Sequence, residues 1–239
     1  MLPPVVLDPP VAIPVAPTSA IGFAAPYQSS GRKVDLFGSF GSYFIADNLN
    51  HQSLDPATGR MVIRSEHLQQ GQPTADDRAD RTVERFCSVS YHRPRHVRNL
   101  PFRPFERLVI EVELTIQQFT HHIAVDNDLL NRGSGFLNLL AEFQVVLPGG
   151  ERLKRKLAGY TAQARAEMAS YQNVIAAGTT VAFTLVSAQP YPVGDPIPVE
   201  LGVYLTHQAR ANRLVMTSIV EFQATLSSVR VSTRRVQLR

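Results

Sequence analysis

Residues 107–119 read RLVIEVELTIQQF. Leu108, Ile110, Val112, Leu114 and Ile116 alternate there with Val109, Glu111, Glu113, Thr115 and Gln117. A period of two turns successive side chains to opposite faces, so this stretch is a strand with one face on a core and one in water. Residues 214–226 repeat the pattern, with Leu214, Met216, Val220, Phe222, Ala224 and Leu226 on one face. The phase then slips at Ser227-Ser228 and resumes with Val229, Val231 and Thr233, which predicts a bulge or a bend.

Working outward, further strands are expected at 34–45, 61–64, 83–91, 139–147, 152–157, 180–187 and 199–206. Pro148-Gly149-Gly150 joins two of them as a short hairpin. Only Thr161–Ala176 has a good helical composition, closed by Gly178, and a helical turn fits Val125–Asn131. The expected fold is therefore all-β: a two-sheet antiparallel sandwich, jelly-roll-like, with one short helix. No fixed-period repeat points to a solenoid or propeller.

Residues 1–30 differ from the rest. Pro3, Pro4, Pro9, Pro10, Pro14, Pro17 and Pro26 exclude helix and central strand, and predict an extended arm ahead of a sandwich domain at 31–239. Val5, Val6, Leu7, Val11, Ile13 and Val15 interleave with these prolines, so the arm carries apolar anchors for a neighbouring surface. The same prolines break the apolar stretch that a secretory signal needs, and no run is long enough to cross a bilayer as a helix. The reading expects no signal peptide and no membrane span.

Of 239 residues, 44% are hydrophobic and 18% charged, with a net charge of +4, which is globular and lightly charged. Lys33, Lys154 and Lys156 are the only lysines among 24 basic residues, so arginine dominates. Its planar fork suits subunit contacts and phosphates alike. Cys87 has no partner for an intrachain disulfide and reads as a buried strand residue.

Five arginines, two histidines and three aromatics crowd residues 91–107, where Arg93, Arg95, Arg98, Arg103 and Arg107 make a basic patch on a proline-rich loop. Arg234 and Arg235 add to it near the other end, alternating with valines as an edge strand would. Such a patch serves contacts between subunits, or a phosphate backbone with rings stacking on bases. His121, His122, Asp126 and Asp128 have ligand chemistry, but adjacent strand residues face opposite ways, and Asp126-Asn127-Asp128 lacks the rest of a calcium loop. Gly133-Ser134-Gly135 lacks the frame of a nucleophile elbow. Glu111 and Glu113 share the wet face of one strand.

No catalytic residues, metal or cofactor are expected. The sequence points to a non-enzymatic structural protein that assembles with copies of itself and other assembly proteins, as a viral or phage capsid, coat or tail component does in a virion or an intracellular assembly. Nucleic acid is a further partner through the basic loop. A β-sandwich module for carbohydrate or a similar ligand is the alternative. It would need an exposed aromatic platform or a calcium site near Asp126 and Asp128, and the absence of tryptophan weakens it. A hydrolase whose acid and base lie far apart in sequence is the third reading.

Overall fold

The computed structural model describes residues 21–25, 28–29, 35–40, 51–70, 76–91, 105–128, 133–164, 169–192, 196–212 and 214–235. The strands in chain order are β1 (Ile21–Phe23), β2 (Gln28–Ser29), β3 (Asp35–Phe40), β4 (His51–Asp55), β5 (Arg60–Gln70), β6 (Asp76–Tyr91) and β7 (Phe105–Asp128). They continue as β8 (Ser134–Val146), β9 (Arg152–Ala164), β10 (Ala169–Ile175), β11 (Thr179–Val186), β12 (Tyr191–Pro192), β13 (Ile197–Asn212) and β14 (Leu214–Arg235).

Two antiparallel sheets face each other. The first runs β4-β5-β14-β7, with β10, β11 and β12 along the outer edge of β7 and β1 beside β14. The second runs β6-β13-β8-β9, with β2 and β3 on the outer edge of β6. The main strands thus order as β5-β14-β7-β11 over β6-β13-β8-β9, and the chain crosses repeatedly between sheets. This is the jelly-roll arrangement of a β-sandwich.

The long alternating stretches form the centre of the first sheet. β14 pairs with β7 from Leu214↔Asp128 to Arg235↔Glu106. The slip at Ser227 is present: register shifts between Leu226 and Ser228, and Val229 and Val231 return to the core. A second slip lies in β7, where Gln223 pairs with Gln118 but Ala224 with Ile116, leaving Gln117 as the extra residue. A one-residue bulge flips every later side chain to the other face. Inward residues therefore run Leu108, Ile110, Val112, Leu114 and Ile116, and then Phe119, His121, Ile123 and Val125.

The core between the sheets is apolar and closely filled. Phe119, Phe143 and Phe222 are fully buried, with Phe119 and Phe222 edge to face at 5.2 Å between centroids. The Pro148-Gly149-Gly150 turn joins β8 to β9 as expected. Gly149 and Gly150 take φ of 80° and 84°, a region that a side chain would strain.

The expected helix at 161–176 is corrected. Residues 161–164 belong to β9 and 169–175 to β10, so the described part of the stretch is strand. Its Ala, Gln and Glu content favours helix locally, but ladder pairing with β8 and β7 outweighs that preference. The helical turn at Val125–Asn131 gives way likewise, because β7 continues to Asp128 against β14. β4 and β10 escaped the sequence reading. The arm anchors Val5, Val6, Leu7, Val11, Ile13 and Val15 lie outside the described residues.

Deleting Gln117 joins Ile116 directly to Gln118, so the ladder with β14 becomes continuous while Phe119, His121, Ile123 and Val125 still face inward. The expected result is a cooperative urea transition, followed by circular dichroism, that is kept. Gln117→Ala keeps the extra residue and loses only the side-chain bond to Thr225 (2.8 Å), shifting stability by no more than about 1 kcal/mol. A deletion variant that loses its cooperative transition would show that the far half of β7 depends on the bulge itself.

Candidate functional site

Inward positions of both sheets are apolar along most of their length, and then a band of polar side chains interrupts them. β5 contributes Ser65 and His67, β7 His121, β13 His207 and β14 Ser218, none more than 1% exposed. Tyr160 of β9, half-buried, closes the band at its edge. On one side lies the main core, including Ile63, Phe119, Leu139, Leu205 and Val220. On the other lies a smaller cluster of Ile123, Val125, Leu137, Ala209, Ala211 and Met216. The polar band divides the hydrophobic interior in two.

Hydrogen bonds run through the band from sheet to sheet. The His67 Nε2–H donates to the His207 carbonyl at 3.0 Å. His207 meets Ser65 Oγ through Nδ1 at 3.0 Å and Ser218 Oγ through Nε2 at 2.8 Å. His121 meets the same Ser218 oxygen through Nε2 at 2.8 Å, and Tyr160 through Nδ1. The Ser218 hydroxyl has one proton and lies between two ring nitrogens. With both rings neutral it donates to one and accepts from the other, which pairs their tautomers.

Burial, and after it the charge of His122, brings the His121 imidazole down to about 4. It is neutral at pH 7. His122 sits on the other side of β7, half-buried, registered with Tyr171 of β10. The adjacent histidines therefore face opposite ways, and the bulge at Gln117 decides which of them is inside. Among the described residues no three His, Cys, Asp or Glu side chains converge to hold a metal ion. The side chains of Asp126 and Asp128 lie outside the described ones.

The other sequence candidates are dispersed. Cys87 is fully buried on β6, and burial with the charge of Asp55 pushes its thiol up to about 12. It stays protonated and unreactive. Ser134 is exposed at the start of β8 and pairs in register with Asn212, so no turn presents it as a nucleophile. Glu111 and Glu113 are exposed on the outer face of the first sheet, with Arg230 Nε 3.6 Å from Glu111. Exposed Phe136 and Tyr171 stand on the outer faces of opposite sheets and share no platform.

Of the basic patch, Arg93, Arg95, Arg98 and Arg103 lie outside the described residues. Arg107 and Arg234 come together in register across β7 and β14, next to Glu106 and Arg235. A second basic strip was not singled out in the sequence. Arg152, Lys154, Arg155 and Lys156 are all exposed on β9, an edge strand paired only with β8 among the described residues. Lys154 reaches Glu142 at 3.4 Å and lies 5.8 Å from the centre of the Tyr204 ring. The signal for this strip was plain in RLKRK, but only the sheet order shows that it lines an edge.

No family model matches the chain, and no curated protein matches it. Among solved structures it is similar to a mutant family 29 carbohydrate-binding module, at 10% identity over 81% of this chain and 91% of the module, with a TM-score of 0.19. It is also similar to a chain in the structure of the infectious bursal disease virus Gx strain, at 11% identity over 98% of this chain and 45% of that one, with a TM-score of 0.22. At that level of superposition neither likeness bears on what this chain binds or builds.

Ser218→Ala leaves the two ring nitrogens without the hydroxyl between them. The expected cost is about 1–3 kcal/mol in urea unfolding at pH 7. Ser227→Ala, at an exposed bulge where the hydroxyl meets Thr115 at 2.9 Å, shifts stability by about 0.5 kcal/mol or less. Equal effects of the two would show that the buried network adds nothing beyond an exposed hydroxyl pair.

Proposed function

We propose that this chain is a structural, self-assembling protein, a capsid, coat or tail component of a virus or phage-like particle, acting through contacts between copies. The observation that carries this reading is how the N-terminal segment joins the body. Ile21–Phe23 adds as a strand beside Val229–Val231 in the first sheet, and Gln28–Ser29 adds beside Cys87–Ser88 in the second. The segment thus crosses the sandwich by backbone pairing, and Phe23 packs against the main core. An extended segment that lies on sheets in this way serves equally on a neighbouring copy, because strand addition uses backbone groups that every sheet edge offers. The apolar residues Val5, Val6, Leu7, Val11, Ile13 and Val15 then act as anchors on the neighbour.

Charge supports the same reading. The exposed strip of β9 is basic, the exposed pair Glu111 and Glu113 is acidic, and the two belong to different sheets. Unlike patches on separate surfaces favour head-to-tail contacts between copies, which close into rings or extend into larger arrays. Arg107 with Arg234, and the arginines at 93, 95, 98 and 103, supply further contacts to acidic neighbours or to nucleic acid.

Light scattering after size-exclusion chromatography tests the reading on the full chain at micromolar concentration. The expected result is a multimer that falls apart when residues 1–20 are deleted and weakens as salt rises. A monomer at all concentrations and salts overturns it. Replacing Arg93, Arg95 and Arg98 by alanine is expected to lower retention on a single-stranded nucleic acid resin. Unchanged salt-dependent retention removes that loop from the account.

A further inference from the structure

The polar band is unusual because it concentrates three imidazoles where the two sheets touch. His67 and His207 lie 4.3 Å apart between ring centroids, and His121 and His207 lie 5.6 Å apart. Of the five hydrogen bonds described for the band, only His121–Ser218 stays within one sheet; the other four join sheet to sheet. At this level the sandwich is held by hydrogen bonds rather than by apolar packing. We propose that the histidine layer is an acid-sensitive joint, which holds the sheets together while its rings are neutral and releases them when the rings take up protons. This holds whether or not copies of the chain assemble.

Among the described side chains, those that face the rings are neutral or basic. From β5 the facing groups are Ser65 and His67; Glu66 lies on the outer face, bonded to Arg64 at 3.2 Å. From β7 there is His121, with the second imidazole of His122 behind it; from β14, Ser218; from β9, the Tyr160 phenol. β8 brings only Leu137 and Leu139. On β13 the residue is His207 itself. No carboxylate is among the described groups that face the rings.

Proton counting shows how the joint fails. With Tyr160 O–H donating to His121 Nδ1, the chain runs His121 Nε2–H to Ser218, Ser218 O–H to His207 Nε2, and His207 Nδ1–H to Ser65. A first proton on His121 Nδ1 reverses the tyrosine bond without breaking any other. A second proton on His207 Nε2 aims two N–H groups at one serine oxygen, drives out its own proton's bond, and sets two cations side by side in a dry interior. Burial and like charge then both favour opening.

The direction with pH follows from the ring already characterised. His121 takes a proton near 6.5 when unfolded and near about 4 when folded. Its contribution is complete above about pH 6.5 and is lost as the pH falls toward 4, because the unfolded chain binds the proton first. Well inside that window, His121 raises the unfolding equilibrium constant by about tenfold for each unit the pH falls. His121 alone therefore gives about 40-fold between pH 6.5 and 4.5.

Urea unfolding of the full chain, followed by circular dichroism at pH 4.5 to 8, tests this. The wild type is expected to lose stability steeply below pH 6.5. His121→Asn, which keeps a hydrogen-bonding side chain that does not titrate, is expected to flatten the slope by about tenfold per pH unit. A slope in the variant equal to the wild type would overturn the proposal. Should a variant not fold, the Cε1 proton shifts of the wild-type histidines decide. No shift of the His121 signal down to pH 5 in the folded chain supports the joint. Ordinary titration near 6.5 with the fold intact overturns it.

Discussion

The ladder between β7 and β14 sets the inside of this protein. It runs the length of the sandwich, and its two strands supply inward side chains to both parts of the core. Its bulges matter more than its length. With Gln117 as an extra residue, β7 presents Leu108 through Ile116 to the interior and then Phe119 through Val125. Were Gln117 paired in regular alternation instead, the second half would offer Gln118, Thr120, His122 and Ala124, and the smaller apolar cluster would lose Ile123 and Val125. The bulge at Ser227 does the same for β14 and returns Val229 and Val231 to the core. Backbone register, one residue at a time, thus decides which of two chemically similar neighbours is buried.

The polar band is the cost of that register and also its signature. Five residues no more than 1% exposed place hydroxyls and imidazoles where leucine or valine would fill the space. An unpaired buried polar group costs about 1–3 kcal/mol, so the band is stable only because its members bond to one another. Mutual satisfaction also ties the sheets in one relative position, since each bond across the gap has a preferred distance and direction. An apolar core of equal volume would tolerate a slide of one sheet over the other far better.

Much of the fold was legible because alternation is a local signal. Residues 107–119 and 214–226, the slip at Ser227-Ser228 and the glycine turn at 149–150 each announce themselves within a few positions. The stretch 161–176 misled because its alanines, glutamine and glutamate favour helix, while the neighbours that make it strand lie far off in sequence. The band was hidden for a related reason. His207 follows Val203 and Leu205 in the inward series, and Ser218 sits between Met216 and Val220, so each looks like an isolated exception on its own strand. Their meeting depends on strand order, which no local pattern contains. His121 was noticed for its neighbour His122, but its true partners are a tyrosine, a serine and another histidine drawn from three other strands.

Strand order also bears on when the protein can become itself. β14 lies between β5 and β7, and β13 lies between β6 and β8. Both middle strands come after the strands they separate. In the finished sheets β5 and β7 stand two strand spacings apart, roughly 10 Å, as do β6 and β8, and before the middle strands are made neither pair has a ladder between its members. Neither half-built layer has its keystone until residues 197–235 leave the ribosome. Folding therefore waits on synthesis, and the waiting chain has four bare strand margins to shield from its neighbours.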